Sequence, residues 1–279
     1  TPDHTGDTRH QGGCSAPMKI LRAVSADDGR CEIPLLHTAG GLVGGDELTV
    51  TLRLRRNSRS LMTSVAAQKA YGSVTRSQLH PEGRWSKQTV SAEQGEDTDL
   101  EWLPQEVVIY ADAMFEQDIE IILAKNASFL GMDIARLGRT ASGEQLRQGR
   151  WRSALTIKRR DDKSTRLEFV DRTEMDQGSL NSIHGLGGKP VVGSLVWAAP
   201  KPLTEDEMDH LLEGSRDDRE GLSGQMRCGG LVQGLVARYV GNSSRDARFW
   251  FSRIWRRTRE IRGMQPPEIP RYWPLQEKA

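Results

Sequence analysis

Alternation of apolar and polar side chains recurs along the chain and predicts a protein built mainly of β-strands. The clearest case is the segment ELTVTLRL, in which Leu48, Val50, Leu52 and Leu54 occupy every second position. Such a period of two is typical of a strand with one buried and one solvated face. The segments FEQDIEIIL, PVVGSLVWA and GLVQGLVARYV predict further strands. Residues 153–172 predict a hairpin, because two strand-like runs flank the polar sequence DDKS.

Two segments predict helices instead. Thr204 and Glu207 have the spacing of a capping box before an apolar run of helical period, and Gly214 is the expected stop. The second helix is predicted over residues 244–261, where apolar residues recur four positions apart and Gly263 follows.

Composition narrows the class of protein. The chain carries 39 Lys and Arg residues against 38 Asp and Glu residues, which leaves a formal net charge of +1. This balance gives no general attraction to nucleic acid or to anionic membranes, so we interpret the arginine-rich second helix as having a solvated basic face. No apolar run approaches the ~18–20 residues that span a bilayer. Cys14, Cys31 and Cys228 form neither a CxxC pair nor a disulfide framework, and we expect a cytoplasmic protein.

The chain shows no sign of division into several domains. We expect one domain over residues 1–279, because no repeat, low-complexity tract or linker interrupts the sequence. Residues 1–13 are polar and are expected to be loop-like and flexible, and residues 263–279 form a C-terminal tail. Periodicity alone predicts an all-β fold of the sandwich or barrel kind.

A glycine-rich segment, HTAGGLVGGD, occupies residues 37–46. Phosphate-binding glycine loops normally open onto a helix, whose free N–H groups hold the anion. These glycines lead into a strand, so we interpret the segment as a turn that needs positive φ. His37 is a candidate metal ligand, although a hydrogen-bonded structural histidine is the alternative. The histidines of the chain form no HExxH or Cys/His cluster that would predict a closed zinc site.

Acidic side chains in motif-like segments are the strongest candidates for chemistry. The set comprises Asp46, Glu101, Glu106, Asp112 and Glu144. Two facing carboxylates could act as acid and base in glycoside cleavage, so an all-β carbohydrate hydrolase is one alternative function. A single carboxylate at a strand end more often caps a turn or pairs with Lys or Arg. The sequence has no GxSxG elbow, and a Ser/His/Asp triad cannot be argued.

Several motifs in register resemble the urease accessory protein family of the UreD (UreH) type. They are HTAGGLVGGD at 37–46, TSVAAQKAY at 63–71, LEWLPQE at 100–106, LGRTASGE at 137–144, IWRRTREIRG at 254–263 and PRYWP at 270–274. The residues carried over from the glycine, lysine and arginine motifs are Gly40, Gly41, Gly44, Gly45, Lys69, Tyr71 and Arg139. Ala39 stands where the family usually has Pro. Family members also commonly begin with an additional strand, whose absence before Thr1 would leave one sheet edge unpaired.

The resemblance implies a non-catalytic maturation factor. The implied fold is all-β, a β-helix-like stack of short sheets with about two helices, one of them near the C-terminus. The implied partners are the urease apoprotein, a UreF-type accessory protein and a UreG-type GTPase, with no nucleic acid and no membrane. That assembly delivers nickel to the urease active site. GTP is hydrolysed by the GTPase, nickel passes only transiently, and no cofactor is tightly bound.

A protein that hands nickel on needs weak ligands, because a His/Cys cluster would trap Ni²⁺. Buried carboxylates are costly unless they are hydrated, paired or metal-bound. We therefore predict a hydrated nickel path lined by carboxylates. The predicted lining residues are Asp46 and Glu106, with Glu101, Glu144 and His37 as further candidates. The alternative is that these carboxylates cap turns and pair with Lys69 or Arg139.

The C-terminal segment combines the aromatic and arginine residues that are enriched at interface hot spots. The candidate docking residues are Trp250, Trp255, Arg256, Tyr272 and Trp273. We predict that they bind the UreF-type partner or urease. The alternative is that the aromatic side chains seal the core while the arginines stay solvated.

Overall fold

The computed structural model describes residues 1–161 and 164–274, and within them strands predominate. The strands are β1 Met18–Ile20, β2 Val24–Ser25, β3 Cys31–His37, β4 Glu47–Leu54, β5 Arg59–Ser64, β6 Gln68–Ala70, β7 Ser86–Gln94, β8 Asp99–Leu103, β9 Val107–Ile109, β10 Met114–Leu123, β11 Ser128–Leu137, β12 Arg150–Arg160, β13 Thr165–Met175, β14 Val191–Ala198, β15 Gln225–Leu231 and β16 Gly234–Gly241. The helices are α1 Gln177–Asn181, α2 Glu205–Asp217 and α3 Ser244–Glu260, with a 3-10 turn at Thr140–Ser142. The expected mainly-β fold is confirmed.

From β3 to β12 the chain winds between two sheets. Strands β3, β5, β8 and β11 lie side by side in the large sheet, and β4, β7, β10 and β12 lie side by side in the small sheet. Within each of these two sets, neighbouring strands pair in parallel. Two strands thus make one coil, and successive coils stack as in a β-helix. We call this stack the solenoid.

Antiparallel strands extend both sheets beyond the last coil. In the small sheet β13 pairs with β12, which confirms the predicted hairpin, although residues 162 and 163 at its tip lie outside the described residues. In the large sheet β14, β16 and β15 follow β11 in that order. In the described part of the chain β4 pairs with β7 alone, so its other edge is free.

The connections differ between the two ends of the solenoid. At one end, which we call the turn end, residues 55–58, 95–98 and 124–127 make short links from the small sheet to the large one. At the other, which we call the loop end, the chain returns through residues 38–46, 71–85, 110–113 and 138–149. The connection 176–190 from β13 to β14 also lies at the loop end, because β13 runs antiparallel to β12. Loops positioned by a rigid scaffold commonly carry function.

Helices α2 and α3 cover the outer face of the large sheet. The predicted capping box is present, with Glu207 N–H donating to Thr204 Oγ1 and Thr204 N–H donating to Glu207 Oε2. Gly214 does not end α2, which continues to Asp217. The guanidinium of Arg257 covers this glycine so closely that an added Cβ would lie 2.2 Å from Nη1. Gly214 therefore permits close packing of α2 on α3.

The N-terminal stretch 1–13 contains one isolated bridge, between Pro2 and Thr8, but no strand or helix, as expected for a loop. It is nevertheless anchored. Thr8 is buried, its N–H donates to the Gly29 carbonyl, and its hydroxyl accepts a 2.8 Å hydrogen bond from Arg59 N–H.

Candidate functional site

Motifs that are far apart in sequence meet at the loop end. Leu42 of the glycine segment forms a parallel bridge with Ala70, and its N–H donates to the Lys69 carbonyl at 2.7 Å. Strand β6 pairs in turn with β9, and β9 pairs with the last three residues of β11. One short ladder therefore joins the glycine segment, β6, β9 and the end of β11.

The glycines of the 37–46 segment are required in two ways. Gly40 and Gly45 have φ values of 79° and 99°, as the turn interpretation predicts. Gly41 is needed for close approach, since an added Cβ would lie 2.5 Å from Tyr71 Cε2 and 2.8 Å from the Lys69 carbonyl oxygen. Gly44 is enclosed in the same way by Ser73 and Arg84.

Aromatic and charged side chains form a connected group on this ladder, which we call the motif cluster: Tyr71, Tyr110, Arg139 and Glu144. The two tyrosine rings meet edge to face at 5.0 Å, and the Arg139 guanidinium lies 4.6 Å from the Tyr110 ring centroid. Glu144 accepts hydrogen bonds from Arg139 Nε at 2.8 Å and from Ala111 N–H at 2.8 Å. Burial raises the pKa of Glu144, but these donors outweigh it and lower the pKa overall.

A cavity of about 350 Å³ opens beside the motif cluster and runs between the two sheets. His37, Gly40 and Lys69 line it near the loop end, and Gln117 and Asp133 line it farther inside. The Gln68 amide lies 3.2 Å from His37 Nδ1. Burial lowers the pKa of His37, which favours the neutral imidazole, while Asp46 partly offsets the shift.

The inner wall of this cavity is a polar layer that crosses an otherwise apolar core. Gln88, Gln117 and Ser153 are register partners on β7, β10 and β12. At the next inward register the same strands carry Val90, Ile119 and Leu155. Because the strands of a solenoid stack, the polar layer runs along the solenoid axis, from one coil to the next.

Asp133 of the large sheet faces this layer. Its Oδ2 accepts hydrogen bonds from Gln117 Nε2 at 3.0 Å and from Ser153 Oγ at 3.3 Å. Burial raises the pKa of Asp133, while these two donors partly offset the shift. An ionised carboxylate between the two sheets is costly unless water or a cation accompanies it.

A second cavity of about 30 Å³ shares the walls formed by Trp102 and Asp133. A void of roughly 10–15 Å³ suffices for one water molecule. The Ser194 hydroxyl lines this cavity and is buried without a hydrogen-bond partner among the described residues. Asp171 lies on its far wall and pairs at 2.6 Å with Arg238, whose side chain is 39 % exposed. Polar groups therefore continue from the loop end through the interior toward a second solvent-exposed region.

The structure places the predicted nickel residues in separate surroundings. His37 lines the cavity, whereas Asp46, Glu101, Glu106 and Glu144 do not. Asp46 accepts a 2.9 Å hydrogen bond from Val43 N–H and caps its own turn. Within residues 1–161 and 164–274, no three His, Cys, Asp or Glu side chains form a cluster that could hold a metal ion.

Glu101 and Glu106 are bound to arginines of α3. Glu101 is fully buried and accepts hydrogen bonds from Trp255 Nε1 at 2.8 Å and from Arg259 at 2.7 and 2.9 Å. Glu106 pairs with Arg248, which is itself buried. Glu144 forms an ion pair with Arg139, so Glu101, Glu106 and Glu144 are all paired with guanidinium groups. The alternative of ion pairing and turn capping therefore describes their contacts, and their part in nickel transit stays a prediction.

The C-terminal aromatic residues divide between core and surface. Trp250, Trp255 and Trp273 are at most 3 % exposed, so in this conformation they seal the core rather than face a partner. Trp273 donates a 2.8 Å hydrogen bond to Thr63 Oγ1. Arg256 is exposed and Tyr272 half-buried, and their predicted docking role is untested. Residues 275–279 of the predicted tail lie outside the described residues.

The polar layer is the feature that sequence reasoning missed. A signal was present, because Gln88, Gln117 and Ser153 each stand two positions before an inward-facing apolar residue of their strand. Such a polar residue at an inward position breaks the alternation that marks a buried face. Recognising that three of these breaks coincide requires the strand register, which a single sequence does not provide.

Comparison with known proteins identifies the family of this chain. The family model described as UreD urease accessory protein matches residues 3–274. The chain belongs to the UreD urease accessory protein family. The urease accessory protein UreD of Parasynechococcus marenigrum (strain WH8102) is 63 % identical over 275 residues, which cover 99 % of this chain and 88 % of that relative. UreD of Prochlorococcus marinus (strain MIT 9313) is 54 % identical over 272 residues, covering 98 % and 85 %.

These UreD relatives are named as accessory proteins and not as enzymes. Among the described helices, none is both long enough and apolar enough to cross a bilayer.

Proposed function

We propose that this chain is a non-catalytic maturation factor of the cytoplasm that binds the urease apoprotein and, with a UreF-type protein and a UreG-type GTPase, helps to insert nickel. Membership of the UreD family supports the connection with urease. The observation that supports a role in nickel passage is the polar layer with Asp133 inside the solenoid.

In this proposal nickel is a transient cargo that moves through the space between the sheets. The donors along that space are a carboxylate, a neutral imidazole, amides and hydroxyls, namely Asp133, His37, Gln88, Gln117, Ser153 and Ser194. Ni²⁺ binds tightly to clustered nitrogen and sulfur ligands. Single oxygen or nitrogen donors spread along a hydrated path would hold the ion weakly enough to release it.

The carbohydrate hydrolase alternative has less support. It requires two free carboxylates facing one another across a cleft. Glu101, Glu106 and Glu144 are bound to arginines, and Asp46 caps its turn.

The proposal is tested by producing urease from its operon with and without this chain, at equal levels of the urease subunits. We expect urease made without the chain to be nickel-poor and inactive, and activity to return when the chain is supplied from a second plasmid. The chain should also co-purify with the urease apoprotein. Full activation without the chain, or hydrolysis of glycosides by the purified chain, would refute the proposal.

A further inference from the structure

Besides Arg139, which pairs with Glu144, the loop end carries cations that form no ion pair within the described residues. Six cations line it, namely Lys69, Arg76, Arg84, Arg147, Arg150 and Lys189. Five of them are exposed and Lys189 is half-buried. In the described ranges, 1–161 and 164–274, none of the six forms an ion pair with a carboxylate.

Of the five carboxylates in these loops, Glu82 is exposed and lies 3.5 Å from His80, and the other four are held against the protein. Asp46, Asp112 and Asp176 accept hydrogen bonds from the backbone N–H groups of Val43, Gln148 and Ser179, respectively. Glu144 binds both Ala111 N–H and Arg139. Apart from Glu82, the acidic groups thus organise the loops, and the exposed cations outnumber the exposed carboxylates of the same loops.

The opposite end of the solenoid serves as an internal comparison. There the exposed Arg56 pairs with Glu96 and Asp97, and Arg160 pairs with Glu93 at 2.6 Å. Several exposed cations of the turn end are therefore paired with carboxylates, whereas at the loop end Arg139 is paired and six other cations form no ion pair among the described residues.

Apolar side chains and aromatic rings accompany the charge. Val43, Leu79 and Ile183 project from three different loops and are 52 %, 86 % and 87 % exposed. The motif cluster adds two half-exposed tyrosines that are held rigidly by ring stacking and by Arg139. Tyr and Arg are enriched at the centre of protein interfaces, and the exposed apolar side chains of the same loops add surface that a docked protein would bury.

We infer that the loop end is a docking surface for an acidic protein surface, and that its cations control access to the cavity between the sheets. The inference rests on the proposed function for the second part. Lys69 lies at the cavity beside His37, so the uncovered loop end repels a free divalent cation. An acidic partner that covers the loop end would neutralise this charge and so couple docking to passage of the ion. A protein is favoured over nucleic acid because the exposed apolar side chains would gain no favourable contact from a charged phosphate backbone.

The experiment compares the full-length chain with two charge-reversed variants. Lys69→Glu/Arg84→Glu alters the loop end, and Arg55→Glu/Lys125→Glu is the matched control at the turn end. The side chains replaced in both variants are exposed. Binding is measured to two probes, the cognate urease apoprotein and the UreF-type protein, at low and high salt. Thermal unfolding checks each variant, and Arg76→Glu replaces the first variant if it does not fold.

We expect the loop-end variant to bind one of the two proteins at least tenfold more weakly, and the control to bind within about twofold of the unaltered chain. Binding by the unaltered chain should weaken with salt, because exposed charges are screened beyond roughly 10 Å at 0.1 M ionic strength. Undiminished binding of both proteins by the loop-end variant would overturn the inference alone. Charge-dependent binding of RNA or anionic vesicles with no effect on either protein would do the same. If the unaltered chain bound neither protein, the proposed function itself would fail.

Discussion

The indole N–H of Trp255 donates a 2.8 Å hydrogen bond to the carboxylate of Glu101, which ties α3 to the central strand β8 of the large sheet. Arg259 donates to the same carboxylate twice, and Arg30 Nη1 lies 3.4 Å from it. The Glu101 side chain is fully buried, so these cations and the indole replace its water. Two motifs more than 150 positions apart are thereby held together in the core.

Removal of the Glu101 charge tests this contact. Glu101→Gln removes one of the counter-charges of two buried guanidinium groups, and loss of one partner from a buried ion pair costs about 3–5 kcal/mol. Arg30 keeps its 2.7 Å pair with Asp99 and Arg259 lies 3.6 Å from Asp28, so we expect a cost near the lower end of this range. Urea unfolding should show the loss as a lower midpoint. The control is Glu93→Gln, which breaks an exposed pair with Arg160 and should cost less than about 1 kcal/mol. Equal effects of the two substitutions would show that the buried network contributes no more to the free energy of unfolding than an exposed ion pair does.

Gly41 provides a steric test of the loop end. In Gly41→Ala the new methyl group meets Tyr71 and the Lys69 backbone, and overpacking of this kind costs about 1–3 kcal/mol. Gly13→Ala is the control, because an added Cβ there meets nothing within 4 Å. Thermal unfolding should separate the two variants, and a Gly41→Ala protein as stable as the control would contradict the packing described.

Trp273 should behave as a core residue. Its replacement by Ala creates a large cavity and removes the hydrogen bond to Thr63, which should lower the free energy of unfolding by about 3–5 kcal/mol. Tyr272→Ala removes the neighbouring, half-buried side chain and should cost much less. Denaturant unfolding measures both. A stable Trp273→Ala protein that had lost only partner binding would instead support a docking role for this residue.

Local features of the fold were predictable from sequence, whereas the pairing of distant segments was not. The alternation in β4 and the capping box of α2 depend on neighbouring residues, and both were predicted correctly. The solenoid required the family resemblance, because parallel pairing such as β4 with β7 leaves no local signature. Gly214 was misread as a helix stop since its reason, the packing of Arg257, comes from another helix. The ion pairs of Glu101 and Glu106 could not be predicted from sequence either, because their arginine partners lie on the distant helix α3.

Asp133 predicts a pH dependence with a defined sign. Burial raises its pKa in the folded protein above the value of about 3.9 in an unfolded chain. The folded state therefore holds its proton more tightly, and stability is lost as pH rises from about 4 through the raised pKa. Asp133→Asn cannot ionise and escapes this loss. The free energy of unfolding of the variant, minus that of the unaltered chain, should grow with pH from about 4 upward. A difference independent of pH would show that Asp133 is not held in a desolvated site.

The central claim, that nickel passes through the polar layer on its way to urease, is tested most directly by the nickel content of urease activated with layer variants. Gln117→Leu/Asp133→Leu removes both members of one hydrogen bond, and such paired replacement by apolar groups can be nearly neutral for stability. It also removes the acceptor of the longer 3.3 Å hydrogen bond from Ser153, so denaturant unfolding checks that the double variant is folded. Asp118→Leu, at the adjacent exposed position of β10, is the matched control. We predict nickel-poor urease with the double variant and normal nickel content with the control. Urease fully loaded with nickel by a folded double variant would contradict the account.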